Sequence, residues 1–431
     1  MRQPPLPAPS WGGAAAVLAR IAADRVRALS LLEQGMISGA NFLGLLLLAR
    51  GFDADTFGTF SFAWLTLLFV VNIQRSAVVV PFVIHTADPA VLVAEAPAWR
   101  RLSLWTTILS ATSLGIVAAA LPLFDAPDWM VTAFVLAALF VVPSFTYEFR
   151  RRWLIQLDRF GGTVAAAAAY AALYIGGIAV AVASHRLEFA AAAFVVANGG
   201  AALLCALLAP RLPKPETPPP FRQFLGNLAH FIGWSVASNL AYNGYGHLPP
   251  LILGALAGPG PVALFQAMRN FTQPLSTAAT AVDNFDKPRA ARALSADGIA
   301  GLRRALTHTT GAMAAMTLPY VVLLVVAGDW LVGLVYGPRY GDPTAALAWF
   351  AIVHVAVVFV YPLETALFLL RRPDLLFRGR VLSAVVGVGL CVALVPAWGL
   401  GGAMAGITGG IVLSGLAALA LLLREKPWTS T

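Results

Sequence analysis

Apolar residues follow one another in long runs along this chain, and short polar segments separate the runs. The hydrocarbon core of a bilayer is about 30 Å thick, so one helical crossing needs about 20 apolar residues, which is the length of these runs. A membrane β-barrel would instead show alternating segments of about 10 residues. We therefore predict twelve membrane-spanning helices, near residues 28–49, 58–86, 102–121, 129–149, 161–183, 188–209, 223–254, 261–286, 305–327, 343–370, 377–395 and 400–423.

The composition indicates the same fold class. Of the 431 residues, 59% are hydrophobic and 11% are charged, and the mean hydropathy is +0.77. Soluble globular proteins contain more charged residues and fewer apolar ones. The sequence thus predicts an all-α integral membrane protein.

The basic residues predict the orientation of the spans. Nearly all of the 29 lysines and arginines fall in alternate breaks between spans; Arg50, Arg186 and Arg339 lie in the opposite set, and Arg75 and Arg269 lie inside spans. Cytoplasmic loops are enriched in Lys and Arg, so we predict that both termini are cytoplasmic. The net charge of +9 is thereby distributed over cytoplasmic segments and does not indicate nucleic-acid binding.

A proline-rich segment divides the chain into two halves. PRLPKPETPPPFR, from Pro210 to Arg222, cannot stay helical for long and is predicted to be a cytoplasmic linker. We assign residues 1–27 to a cytoplasmic N-terminal segment, 28–209 to a first six-helix bundle, 210–222 to the linker, 223–423 to a second six-helix bundle and 424–431 to a cytoplasmic tail. Halves with an even number of spans start on the same side, which predicts a parallel repeat.

Three sequence stretches carry a family resemblance. LLLLARGFDADTFGTFSFAW, from Leu45, LVGLVYGPRYGDPTAALAWF, from Leu331, and VPAWGLGGAMAG, from Val395, resemble bacterial polysaccharide and oligosaccharide-lipid transporters of the O-antigen flippase type. That family belongs to the multidrug, oligosaccharidyl-lipid and polysaccharide exporter (MOP) superfamily. The resemblance implies two six-helix bundles around a central cavity lined mainly by the first, second, seventh and eighth spans.

The same resemblance implies a function. Members are similar to flippases that move a polyprenyl-diphosphate-linked oligosaccharide from the inner to the outer leaflet by alternating access, for surface or exopolysaccharide biosynthesis. It also implies residence in the bacterial inner membrane, with the lipid-linked oligosaccharide, membrane lipids and polysaccharide polymerase machinery as partners. The related lipid II flippases carry a cavity arginine in the first span, where this chain has Glu33 and Gln34, so lipid II is not the expected cargo.

Polar residues recur on one face of three predicted spans. At about 100° per residue, such positions share one side of a helix. They are Gln266, Asn270, Gln273, Thr277, Thr280 and Asn284 on the eighth span, Ser235, Asn239, Tyr242, Asn243 and His247 on the seventh, and Gln34, Ser38 and Asn41 on the first. Amides, hydroxyls and aromatic rings suit a sugar-binding surface, and we predict that Gln266, Asn270, Gln273, Asn239, Tyr242, Asn243, Gln34 and Asn41 contact substrate. The alternative is helix-to-helix hydrogen bonding.

Charged residues inside the membrane normally face water, a partner or a ligand. Arg269 has no carboxylate at its predicted depth, and a guanidinium binds phosphate bidentately, so we expect Arg269 to bind a diphosphate. Arg75 lies nearer the cytoplasmic side, where two interpretations stand: an ion pair with Glu33, or first contact with the diphosphate. Glu33, Asp283 and Glu364 are candidates for proton or Na⁺ coupling, and water or an arginine is the alternative partner for each.

A membrane enzyme and a drug or metabolite antiporter are the two alternatives to a flippase. A membrane polymerase or transferase needs catalytic groups beside a reacting centre, and the sequence contains no H-x-x-x-x-D, metal or Walker pattern, so neither an enzyme nor a cofactor is predicted. Cys205 and Cys391 both lie inside spans and indicate neither a disulfide framework nor a metal site. A cation-coupled drug or metabolite antiporter of the same superfamily is the nearer alternative, and it predicts carboxylates in the cavity.

Overall fold

The computed structural model describes residues 13–213, 215, 218–337, 343–370 and 372–424, and nearly all of them are helical. Arg339, predicted on the outer side, lies outside the described residues, as do residues 1–12 and 425–431. The helices are α1 (Gly13–Gly51), α2 (Ala54–His85), α3 (Pro89–Ala120), α4 (Asp128–Gln156), α5 (Phe160–Ser184), α6 (Leu187–Leu208), α7 (Phe221–Ala257), α10 (Thr344–Leu369), α11 (Pro373–Trp398) and α12 (Leu400–Arg424). Between them, the helical stretch Pro259–Tyr336 breaks at Gly298, where φ is 61°, and gives α8 (259–297) and α9 (299–336).

The second helix contains one π-helical turn near its C-terminal end. It begins at Asp53, whose carboxylate accepts hydrogen bonds from the backbone N–H groups of Asp55 (3.0 Å) and Thr56 (2.9 Å). From Arg75 to Val79 it forms a single π-helical turn before it returns to α-helix. Such a turn rotates the residues that follow it, so the directions of residues 80–85 do not follow from regular α-helical spacing counted from the start of α2.

The helices pair in the same way in both halves. In the first half, α1 packs on α5, α5 on α6, α4 on α6 and α3 on α4. In the second half, α7 packs on α11, α11 on α12, α10 on α12 and α9 on α10. The repeated pairing confirms the predicted all-α fold of two parallel-repeat bundles of six helices.

The halves meet closely at the end that holds the α1–α2 and α7–α8 turns, called here the outer end. Gly58 of α2 lies against Pro259, and a Cβ added at Gly58 would overlap the Pro259 carbonyl. One turn further on, the ring of Phe62 packs over Gly254 of α7. At the opposite end, called the basic end, Phe224 of α7 packs edge-on against Trp99 of α3, with ring centroids 4.9 Å apart.

Two helices are less apolar than the rest. Within the described residues, ten helical stretches are long and apolar enough to cross a membrane, and they leave out α7 and residues 259–276 of α8. These two segments carry polar positions of the seventh and eighth predicted spans. A polar helix face is costly in lipid, so α7 and α8 belong at the centre of the bundle.

The helix ends extend beyond the predicted spans. The ninth span was predicted at 305–327 and the helix covers 299–336, while α1 begins fifteen positions before the predicted residue 28. Hydropathy marks only the part of a helix that lies in hydrocarbon. Amphipathic turns at either end continue the helix into the head-group region.

Candidate substrate cavity

The outer part of the polar face on α8 joins α8 to α9. Gln266 and Asn270 are 3% and 5% exposed. Gln266 Nε2 donates to Asn270 Oδ1 (3.2 Å), and Asn270 Nδ2 donates to the hydroxyl of Tyr336 on α9 (3.3 Å). That hydroxyl donates to the backbone carbonyl of Ala267 (3.3 Å). Asn270 thus makes the helix-to-helix bond that the sequence left as the alternative, while Gln266 bonds within α8. Contact of either amide with substrate stays a prediction.

Arg269 occupies the same turn of α8 and is half-buried. Among the residues that the structure describes, its guanidinium has no ion-pair or hydrogen-bond partner. His247 of α7 lies near enough for the charge of Arg269 to act on its ring. Near Arg269, His247 Nδ1 and Gln266 Oε1 are buried and have no hydrogen-bond partner among the described residues. Buried polar groups are normally satisfied, so this concentration of unpartnered groups indicates a place for water or a ligand.

Further along α8, Gln273 is the one predicted polar position whose side chain the structure describes. Gln273 is exposed on the side of the basic end. The side chains of Thr277, Thr280, Asp283 and Asn284 lie outside the described residues. The predicted roles of Gln273 in substrate contact and of Asp283 in ion coupling therefore stay predictions.

Three asparagines connect α7 to α2 across the two halves. Asn243 Nδ2 donates to Asn239 Oδ1 (2.6 Å), and Asn72 Nδ2 of α2 donates to Asn243 Oδ1 (3.4 Å). Asn243 is only 3% exposed. The pair predicted to bind sugar thus holds the halves together in this conformation.

The polar residues of α1 separate into two roles. Gln34 is exposed and donates to Ser38 Oγ (3.1 Å) one turn away. Asn41 instead accepts a hydrogen bond from the hydroxyl of Tyr170 on α5 (2.6 Å). Gln34 is therefore exposed, whereas Asn41 is hydrogen-bonded to another helix of the first half.

Of the two interpretations left open for Arg75, the ion pair with Glu33 is not formed. Glu33 pairs with Arg151 of α4, Oε1 to Nη1, at 2.9 Å. Arg75 pairs with Glu148, Nε to Oε1, at 3.4 Å, and Glu148 also holds Arg151 (2.9 Å) and Arg152 (3.3 Å). Counting residues gave Glu33 and Arg75 similar depths, but depth alone does not say on which side of a helix a residue lies.

A second carboxylate network occupies the equivalent helix of the other half. Glu364 of α10 accepts hydrogen bonds from Arg380 Nη2 of α11 (2.6 Å) and from Ser414 Oγ of α12 (2.7 Å). The Arg380 guanidinium lies 4.6 Å from the ring centre of Tyr242. Glu364, Arg380 and Tyr242 border a cavity of about 280 Å³. The remaining lining residues are Lys287, Tyr361, Thr365, Phe368 and Leu376.

Both described coupling candidates have their counter-ion within the protein. Glu33 is held by Arg151 and Glu364 by Arg380. A guanidinium within ion-pair distance competes with Na⁺ for the carboxylate oxygens. Ion coupling through either residue stays a prediction.

Sequence inspection did not single out Glu148, Arg151 or Arg380 as site residues. A signal for the first two was present, because residues three and four apart on a helix are neighbours, and Glu148 stands at those spacings from Arg151 and Arg152. The predicted span ended at residue 149, which hid the continuation of the helix to Gln156. For Arg380 no local signal exists, since its partner Glu364 lies on another helix.

Neither a family model nor a curated protein matches the sequence. Solved transporter structures match the fold. The inward-facing conformation of a multidrug resistance MATE family transporter of the MOP superfamily is 14% identical, with a TM-score of 0.68 over 92% of this chain and 96% of that chain. An outward-facing conformation of such a transporter gives 16% identity and a TM-score of 0.57 over 94% and 97%. A MOP superfamily transporter from Pyrococcus furiosus, described by the reverse polarity of its binding pocket, gives 16% and 0.52 over 95% and 91%.

The chain therefore has the fold of MOP superfamily transporters, as the sequence resemblance implied. The likeness does not distinguish the O-antigen flippase type from other branches. Several of the similar structures are multidrug transporters, and at 14–16% identity the likeness shows the fold alone.

Proposed function

We propose that this protein is an alternating-access transporter whose central cavity binds an anionic organic substrate through Arg269. The observation that carries the proposal is the state of that guanidinium. It is half-buried on a central helix and, among the described residues, has no carboxylate partner. An unpaired charge inside a membrane protein is expensive, which favours a substrate that supplies the opposite charge.

The carboxylates argue in the same direction. A pocket for organic cations offers negative charge that the protein leaves uncompensated. Here Glu33, Glu148 and Glu364 are each paired with at least one arginine. The charge left over within the described bundle is positive, which favours anions.

A phosphate or diphosphate is the anion class that best fits these donors. A guanidinium donates two parallel hydrogen bonds to one phosphate group, and the neighbouring His247 and Gln266 offer further polar contacts. The exposed amides Gln34 and Gln273, together with the Tyr242 ring, suit a hydroxylated group attached to that phosphate. A polyprenyl-diphosphate-linked oligosaccharide, the cargo expected from the sequence resemblance, combines both features.

The proposed cycle uses the two ends of the bundle in turn. With the outer end closed by the contact of Gly58 with Pro259, the head group enters from the basic end. Arg75, whose side chain is 46% exposed, meets the phosphate first, and Arg269 binds it deeper in the bundle. Rocking of the two halves then opens the outer end while the lipid tail stays in the membrane. Direction is set by the difference in affinity between the two states.

A second candidate function comes from the similar structures. Several of them are multidrug transporters, which favours an antiporter that moves drugs or metabolites. This function shares the fold and the alternating-access cycle and differs in the charge of the cargo. The polarity of the cavity is therefore the property that separates the two candidates.

The test measures binding to the full-length protein in nanodiscs. The probes are polyprenyl diphosphate and ethidium, an organic cation. We expect wild type to bind the diphosphate, Arg269→Gln to weaken that binding by about tenfold or more, and Arg269→Lys to lose less, since each charge-assisted hydrogen bond contributes about 1.5–3 kcal/mol. Arg292→Gln is the matched control, because Arg292 is an exposed arginine on the same helix.

The contrary result is also specific. If ethidium binds and Arg269→Gln leaves its affinity unchanged or raised, the cavity is cationic-drug selective and the antiporter stands. Mass spectrometry of lipid-linked sugars in a strain that lacks the protein then separates the cargoes. Accumulation of a diphosphate-linked oligosaccharide that wild type clears and Arg269→Gln does not clear supports the flippase.

A further inference from the structure

A long groove runs along the outside of the first half, on the surface that faces the membrane. It lies between α3, α4 and α6 and consists of two adjoining cavities of about 1000 Å³ and 660 Å³. Both cavities share Ala111, Val142, Thr146 and Arg150 as lining residues. The groove is therefore continuous from one cavity to the next.

The groove is about as tall as the hydrocarbon core of a bilayer. On α4 its lining extends from Val131 to Arg150, which is about 28 Å at 1.5 Å per residue, against about 30 Å for the core. Seven of the 17 residues that line its outer cavity are alanine or glycine. Gly115 and Gly199 in particular have open space where a side chain would stand. Small side chains thus leave a channel wide enough for hydrocarbon chains.

The groove changes character at the basic end. Arg100 of α3 and Arg150 of α4 border the second cavity together with the hydroxyl residues Ser103 and Thr107. Arg150 Nη1 donates to the Ala202 carbonyl (3.0 Å), and the Arg100 guanidinium lies 4.8 Å from the ring centre of Trp153.

In the described part of the chain neither arginine has a carboxylate partner. The next residue, Arg151, is in contrast paired with two glutamates. The positive charges at the mouth of the groove are thus left for an outside anion.

The second half repeats the arrangement on its equivalent helices. A cavity of about 580 Å³ lies between α9, α10 and α12, lined by Leu306, Leu363 and Leu422 among others. It has Arg303 and Thr307 at the corresponding end. An apolar groove that ends in arginine and hydroxyl residues therefore occurs once in each half. Its recurrence on equivalent helices indicates that the groove belongs to the structural repeat.

We infer that the groove of the first half is a binding site for an anionic phospholipid, separate from the transport cavity. The lipid phosphate binds between Arg100 and Arg150 and accepts hydrogen bonds from Ser103 and Thr107. Its acyl chains lie in the apolar part of the groove against α4 and α6. The occupant follows from charge complementarity: two uncompensated guanidinium groups at the level of the head groups select a phosphate with net negative charge over a zwitterion.

The first test is native mass spectrometry of the full-length protein, exchanged between phosphatidylglycerol and phosphatidylcholine of the same chain length. We expect wild type to retain phosphatidylglycerol preferentially. The double variant Arg100→Gln with Arg150→Gln should weaken retention by about tenfold, since two charge-assisted contacts are lost. Arg159→Gln is the matched control, an exposed arginine at the same end that does not line the groove. The charge-conserving pair Arg100→Lys with Arg150→Lys should keep the preference.

A second variant tests the site by shape and leaves the charges intact. Gly199→Leu fills the groove where no atom lies within contact distance, and Gly176→Leu adds the same side chain on α5, equally free of contacts and outside the groove. We expect Gly199→Leu to displace the lipid and Gly176→Leu to keep it. Equal retention of both phospholipids by wild type, or full retention by the Arg100/Arg150 glutamine variant or by Gly199→Leu, would overturn the proposal.

Discussion

Glu148 is the residue that organises charge at the basic end of the first half. Its two carboxylate oxygens face three guanidinium groups, those of Arg75, Arg151 and Arg152. Glu148 and Arg151 are buried, at 9% and 4% exposed. Removing one member of a buried, hydrogen-bonded pair is costly because the other charge stays behind uncompensated.

We expect Glu148→Gln to lower the free energy of unfolding by about 3 kcal/mol, because Arg151 then keeps only Glu33 as a partner and Arg75 keeps none among the described residues. Arg152→Gln should cost less than about 1 kcal/mol, since Arg152 is one-third exposed and its pair is screened. Thermal unfolding in detergent measures both. Equal losses in the two variants would show that Glu148 has no special role.

At this scale the sequence predicted residue types better than partners. The sequence offered a counter-ion, water or a ligand as the partner of Glu33, Arg75, Arg269 and Glu364. Glu33, Arg75 and Glu364 have a counter-ion in the structure, and Arg269 has none among the described residues. The identity of each partner depended on the rotation of each helix about its axis, and the partner of Arg75, Glu148, lies on a helix that continues past its apolar core.

The helices themselves can be predicted from local features of the sequence. Apolar runs predicted the helices of the described chain, although α7 and the first part of α8 are too polar to be recognised as membrane spans by hydropathy alone. The start of α2 is fixed by Asp53 within the motif that carried the family resemblance. Partial burial opposes ionisation of Asp53, but hydrogen bonds from Thr56 and Asp55 lower the pKa of its carboxyl group below the ordinary value of 3.8. The cap is thus ionised and complete at neutral pH.

Replacing the cap tests its contribution. Asp53→Ala should lower the free energy of unfolding by about 1 kcal/mol at neutral pH, the usual effect of losing an N-cap side chain, whereas Asp53→Asn keeps an acceptor and should cost less. Because the folded-state pKa is lowered, the contribution of the charge is fully present above pH 3.8 and is lost as the pH falls through the folded-state pKa. Thermal unfolding at neutral pH and below pH 3.8 should therefore show a smaller difference between wild type and Asp53→Asn in acid.

What the helix patterns could not show is which neighbour a polar face meets. On α8, Gln266 donates to Asn270, and Asn270 donates to Tyr336 of α9, so this part of the predicted polar face meets a neighbouring helix. Periodicity specifies a direction on one helix, and packing of the whole bundle decides what lies in that direction.

At the scale of the whole molecule, the two halves pack closely against each other at the outer end. Gly58 and Pro259 are in contact through backbone atoms at the outer end, so this closed arrangement requires a residue without a side chain. The structure is also more similar to the inward-facing MATE transporter than to the outward-facing one, with TM-scores of 0.68 and 0.57.

We expect Gly58→Ala to shift the conformational equilibrium toward an open outer end. Overpacking costs about 1–3 kcal/mol, which corresponds to a population shift of about 5- to 150-fold. Spin labels on Leu123→Cys and Trp330→Cys, both exposed near the outer end, would report a longer distance in Gly58→Ala. Cys205 and Cys391 are buried and should not react with the label.

Gly35→Ala on α1 is the control, because a side chain there meets no atom. An unchanged distance distribution in Gly58→Ala would mean that the outer contact does not limit opening.

The low hydropathy of α7 and of the first part of α8 bears on how the chain is made. A translocon releases a segment into lipid when the segment is apolar enough, and these two consecutive segments lack that property. They therefore need the six helices already inserted before them as a surface to enter against, with Phe224 seated on Trp99 as one such contact. Biogenesis of the second half then depends on a finished first half, so a chain synthesised from residue 221 onward alone would leave its first two helices outside the membrane.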